Sequence, residues 1–181
     1  MTVLVWITED SWAACVDAVA TLAPASEDVS LLHVTDTAAL DAAHGAFTGL
    51  LGRTGADPGA QLAAMAETAA SELLGAAAAR LGRPCQQLRR LGRPEHEVVT
   101  AAAQGAALLV VAREGATAGP KSLGKTARFV VDHAACPVLL IWPGPVPEGP
   151  PRDPGRPPPG GHPPGRPGNR PGGPGRPQPF E

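Results

Sequence analysis

Apolar residues fall into two kinds of run along this chain. Short blocks at residues 3–7, 29–34, 108–112 and 138–142 carry almost no charge, and the stretches between them are longer, Ala-rich and apolar at three- to four-residue spacing. Uninterrupted short blocks read as strands buried on both faces, and the longer stretches as the helices that cross over between them. A first helix is predicted from Ser11 or Trp12 to about Ala23, ended by Pro24. Residues 36–51 have helical spacing, broken by Gly45, Gly49 and the stretch 52–59. Over 60–81, Leu62, Met65, Ala69, Leu73, Leu74 and Ala77 form one helix face, stopped by Gly82-Arg83-Pro84. Residues 85–90 alternate polar and apolar, which suits an edge strand. Pro94 then suits the first position of a helix running to Gln104, and the block 108–112 reads as a central strand. A loop over 113–123 leads to a last helix, from Gly124 or Lys125 to His133. Five strands joined by helices predict an open, doubly wound parallel sheet, because right-handed crossovers leave few alternatives.

Composition changes the picture at one end. Of 22 prolines and 22 glycines, residues 143–181 hold 16 and 10, with only Val146 and Phe180 as large apolar residues. Such a segment buries too little to offset its ordering entropy, so it is expected to be a disordered tail after a domain spanning 1–142. The charge is −4 over 1–142 and +2 over the tail. Neither value suits a body built to hold nucleic acid or an acidic membrane. Cys15, Cys85 and Cys136 are widely spaced and carry no metal-ligand pattern, which suits free thiols in a reducing compartment. The opening Met1–Ile7 has no basic leader and meets Glu9 and Asp10 at once, and no apolar run is long enough to cross a bilayer. A cytoplasmic protein is the expectation.

From Gly92 onward particular residues narrow the field. Gly92-Arg93-Pro94 turns into a helix at Glu95. Leu108-Leu109-Val110-Val111-Ala112-Arg113-Glu114-Gly115 joins a strand to a glycine loop, and Gly124 leads on to His133, Cys136, Pro137 and Val138. With the opening strand and Leu31-Leu32-His33-Val34, this pattern resembles the universal stress protein family over about residues 2–142. The resemblance implies strand order 3-2-1-4-5, a homodimer through the fifth strand, and ATP or AMP held between the ends of strands one and four, with Mg2+ present only alongside the nucleotide. It implies Thr8, Asp10, Val34, Ala112, Gly115, Gly124, Lys125 and Thr126 as nucleotide-binding residues, Val34 through its backbone. Physics points to the same spot, since ligands of doubly wound sheets sit outside the strand carboxyl ends where the winding reverses. There Thr8-Glu9-Asp10 and Ala112-Arg113-Glu114-Gly115 would form the floor. The start of the last helix at Gly124 would offer unpaired amides to phosphate.

The chain departs from the family's nucleotide signature in stated ways. Ala112 stands where nucleotide-binding members have the first glycine, adding a methyl and disfavouring positive φ. Eight residues, rather than nine, separate Gly115 from Gly124, and Lys125 replaces a hydroxyl residue that Thr126 supplies one position later. Thr8 takes the place of an acid, with Glu9 and Asp10 adjacent. Lys121 and Lys125 would attract phosphate; Glu9, Asp10 and Glu114 would oppose it unless a cation intervenes.

Three function classes remain open on these residues. The first is a regulatory module with an adenine nucleotide. The second is the same fold without nucleotide, a dimeric interaction protein acting through the exposed apolar edge Val138, Leu139, Leu140 and Ile141. The third is an ATP hydrolase, because residues 119–126 also satisfy the phosphate-loop pattern Gly-x4-Gly-Lys-Thr. Against the third, six residues separate Ala112 from Gly119, Pro120 removes an amide, and no later strand ends in a magnesium-binding acid. Glu95-His96-Glu97 suits a solvated first helical turn, His33 a packed strand and His133 a helix end. No nucleophile–base set can be assembled. The tail repeats Pro-Gly-Arg-Pro at 154, 164 and 174 without interleaved aromatics, a low-complexity pattern rather than a nucleic-acid binder.

Overall fold

Alternation inside each apolar block decides how the sheet is covered. In the computed structural model, which describes residues 1–38, 58–113 and 122–144, five strands and four helices alternate. They are β1 (Thr2–Trp6), α1 (Trp12–Leu22), β2 (Asp28–Asp36), α2 (Pro58–Leu81), β3 (Gln86–Gly92), α3 (Pro94–Ala103), β4 (Ala106–Ala112), α4 (Lys125–His133) and β5 (Val138–Ile141). All neighbouring strands pair in parallel, in the order β3-β2-β1-β4-β5. Val3 and Val5 of β1, Val29 and Leu31 of β2 and Val110 of β4 face Cys15, Val16 and Val19 of α1 and Leu74, Ala77 and Leu81 of α2. Leu4, Trp6, Leu32, Val34, Leu109 and Val111 face the other way, onto Val98, Ala101 and Ala102 of α3 and Ala127 and Val130 of α4. Strands sandwiched in this way need apolar or hydrogen-bonded residues at every position, the reason their runs are nearly all apolar and the exceptions in β2, Ser30 and His33, bond Gln86 and the Ile7 carbonyl. Each fully buried Val or Leu contributes about 1.5–3 kcal/mol.

Element boundaries follow the local chemistry. Gly82 closes α2 with φ +66° and gives its N–H to the Ala78 carbonyl, a left-handed stop that a side chain would strain. Gly92 ends β3 at φ +143°, where a Cβ would sit 3.1 Å from Glu97 Cγ. β3 therefore runs two residues beyond the predicted 85–90 and lies at the sheet edge, as its alternation predicts. The predicted face of α2 needs correction. Leu62 and Met65 are 39% and 69% exposed, and the packed face is Ala70, Leu74, Ala77 and Leu81. At 24 residues the helix is about 36 Å long, against about 30 Å for the nine-residue β2 it packs on, so its first turns overrun the sheet. Most of the helical spacing read at 36–51, the tail from 145 onward and the loop glycine Gly115 lie outside the described residues. No helix among the described residues is long and apolar enough to cross a membrane.

Candidate functional site

β1 is where the winding reverses. From it the chain passes through α1 to β2 on one side, and β4 joins on the other after a crossover through α3. The helices that follow β1 and β4 thus lie on opposite faces of the sheet, and a hollow of about 480 Å³ opens at the strand ends, lined by Trp6, Thr8, Asp10, Ser11, Pro94, Ala112, Arg113, Thr126, Ala127 and Pro143. That volume lies within the range of small-molecule sites.

Each wall is held by backbone bonds of its own. Ile7 donates to the Leu32 carbonyl at 2.8 Å, and His33 Nδ1 donates to the Ile7 carbonyl at 3.0 Å, which fixes the exit of β1 just ahead of Thr8. The Thr8 carbonyl then accepts from Ser11 N (3.2 Å) and Trp12 N (3.0 Å), folding Thr8–Ser11 into a tight turn. Within that turn the Thr8 and Ser11 hydroxyls meet at 2.6 Å, so the Ser11 side chain is not capping α1. On the opposite wall, Arg113 N donates to the Ile141 carbonyl at 2.8 Å. Its guanidinium NH1 donates to Ser122 Oγ at 2.6 Å and its carbon lies 4.8 Å from the centre of the Trp142 ring.

Three helices, α1, α3 and α4, begin at this end of the sheet, and none has a side-chain hydrogen bond at its cap, where Ser11, Arg93 and Gly124 stand. Their amino ends supply partial positive charge here. Asp10, exposed and without a cationic partner among the described residues, supplies the opposite sign.

Of the residues singled out from sequence, the hollow brings together Thr8, Asp10, Ala112 and Thr126. Gly124 and Lys125 begin α4 next to it without lining it, and the Lys125 side chain is exposed. Val34 is buried against α3 and α4, leaving only its backbone for any role at the strand end. Gly115 is outside the described residues. Sequence reasoning places Arg113 on the floor but outside the binding set, and does not single out Ser11, Pro94, Ala127 or Pro143. Pro143 in particular reads as the first residue of a tail, yet it closes one side of the hollow. Ser11 could have been found from its hydroxyl at a helix start beside Thr8. Pro143 leaves no such signal.

None of the three thiols lines the hollow. Cys15 is fully buried, and desolvation pushes its pKa up to about 12, so it behaves as a core residue.

The profile of the universal stress protein family matches residues 1–141 of the chain. No curated protein sequence matches it. Among solved structures, the universal stress protein UspA from Lactobacillus plantarum is 23% identical, with a TM-score of 0.52 over 78% of this chain and 97% of its own. A universal stress protein solved in complex with cAMP is 17% identical, with a TM-score of 0.54 over 80% of this chain and 98% of its own. Similarity at that level speaks for the fold.

Proposed function

Because the chain belongs to the universal stress protein family, we propose that it is a regulatory module that binds an adenine nucleotide, ATP or AMP, in the hollow at the carboxyl ends of β1 and β4. The observation that carries this reading is the hollow itself, which stands at the reversal of winding with Thr8, Asp10, Ser11, Arg113 and Thr126 converging on it beside the apolar Trp6, Pro94 and Ala127. Polar groups set beside apolar ones in one hollow suit a heteroaromatic ligand with a polar tail. The cAMP complex of a family member of the same fold supports the ligand class. In this reading Thr8, Asp10 and the Val34 backbone meet the base and sugar. Ala112 and Thr126 lie toward the phosphates, with the start of α4 at Gly124 and Lys125 beside them, and magnesium enters only with a polyphosphate. Free thiols at Cys15, Cys85 and Cys136 fit a cytoplasmic setting. Mass spectrometry of small molecules released from freshly purified protein, followed by calorimetric titration with ATP, AMP and cAMP, tests it. An adenine nucleotide is expected in the first and a saturable heat signal in the second. A flat signal at millimolar nucleotide, with no change in melting temperature, would end the reading.

A second proposal concerns assembly and is favoured by β5. Its four residues are aliphatic and half-buried, and it ends the sheet. On the α1 side, an apolar hollow of about 240 Å³, lined by Val3, Val19, Leu22, Leu108, Val110 and Leu139 among others, adjoins it. We propose that this edge pairs with the same edge of a second copy. A homodimer is the mass expected by light scattering at micromolar protein, with or without nucleotide.

A further inference from the structure

The nucleotide-binding hollow holds two charged side chains of opposite sign, Asp10 and Arg113, and no ion pair joins them. Arg113 is engaged on its own wall instead. Arg113 is fixed by its backbone bond to Ile141, by its hydrogen bond to Ser122, which is only 3% exposed, and by stacking on Trp142. None of those partners is anionic. A guanidinium has five N–H donors, and one bond to Ser122 leaves donors for a bound anion.

We infer that Arg113 is the specificity-determining residue of the hollow. It selects a phosphorylated ligand over the corresponding nucleoside, with Asp10 receiving the donor groups at the ligand's other end. This rests on the nucleotide reading above and adds to it the group that reads charge. It also accounts for a departure from the family signature. Ala112 carries a methyl where glycine would let backbone approach the ligand, and the next residue brings a fixed cation to the same wall. Lys125 does not substitute for it, because that side chain is exposed and lies off the lining.

Calorimetry on the full chain with three probes separates the parts: adenosine carries base and sugar, tripolyphosphate carries only the anion, and ATP carries both. Wild type is expected to bind ATP more tightly than adenosine and to bind tripolyphosphate measurably. In Arg113→Ala and Arg113→Gln, ATP and tripolyphosphate affinity should fall about 10- to 100-fold, as for a lost charged hydrogen bond. Adenosine affinity should stay put, and Arg113→Lys should recover most of the loss. Circular dichroism checks the fold of each variant; where the alanine variant does not fold, the glutamine and lysine variants decide. Folded Ala and Gln variants that bind ATP and tripolyphosphate like wild type would overturn the inference. Wild type binding adenosine as tightly as ATP would also overturn it, while leaving an adenine site standing. Tripolyphosphate binding that needs Arg113, without any gain from the adenosine part, would uphold the charge reader and sink the nucleotide reading. Silence from all three probes would sink both.

Discussion

β3 and β5 are both edge strands of one parallel sheet, each with a row of backbone groups turned away from it, yet they are made of different residues. β3 reads Gln-Gln-Leu-Arg-Arg-Leu-Gly, and its arginines are engaged. Arg89 pairs with Glu67 of α2, and Arg90 reaches Glu97 at 3.3 Å and Gln104 at 2.7 Å. β5 reads Val-Leu-Leu-Ile, carries no charge, and borders an apolar hollow whose rim includes Leu22, 62% exposed. A charged edge resists strand addition because an approaching strand must desolvate the charges, whereas an aliphatic edge gains by being covered. The contrast is what the proposed assembly rests on, with solvent on one edge and a second copy on the other.

The strongest way to break that assignment is to place a charge on β5. Leu139→Arg should dissociate the dimer by about a hundredfold or more, since the new cation would be buried at the interface, and it should leave a folded monomer because Leu139 lines an open hollow. Leu91→Arg on β3, already 63% exposed, should leave mass and melting temperature unchanged. Sedimentation of the two side by side decides, and equal behaviour would erase the distinction between edges.

A smaller effect is expected from stripping β3 of its charges. Arg89→Ala with Arg90→Ala should cost about 1–2 kcal/mol, because the Arg89 pair is half exposed and the partly exposed Arg90 pair also gives up its bond to Gln104. Concentration-dependent association beyond that of the wild type should appear by light scattering. Stability loss without new association would mean that the arginines brace the helices rather than guard the edge.

The smallest effect uses two thiols that precede the two edges, Cys85 before β3 and Cys136 before β5, both half-buried. Burial raises the pKa of each, countered at Cys85 by the nearby Arg83 charge and at Cys136 by the Leu109 backbone N–H. The reactive thiolate form is thus depleted near neutrality, and labelling of both should still be climbing as pH rises through the ordinary thiol range. At fixed pH, modification of Cys136 should slow several-fold as protein concentration rises through dimerisation, and that of Cys85 should not. Equal slowing at both would count against β5 as the paired edge.

Much of this arrangement was legible beforehand. The largely apolar blocks at 3–7, 29–34, 108–112 and 138–142 become strands at those places because strands covered on both faces are built mostly of apolar residues, and that pattern survives without knowledge of neighbours. Leu62 and Met65 misled because helical periodicity says which residues share a face but not where the sheet beneath that face ends. The hollow's location followed from the reversal of winding, and Thr8, Asp10, Ala112 and Thr126 from the resemblance.

What the chain's order of residues determined by itself was the alternation of strand and helix, and with it the end of the sheet at which loops and helix starts gather. Only the folded structure decided which side chains share that space. Ser11, Pro94, Arg113 and Pro143 are far apart in the chain and meet through strand register, the point at which each helix begins, and the stacking of Arg113 on Trp142. Backbone topology is encoded locally by hydrophobic periodicity. Convergence of side chains is a property of distances between elements, which no single element carries.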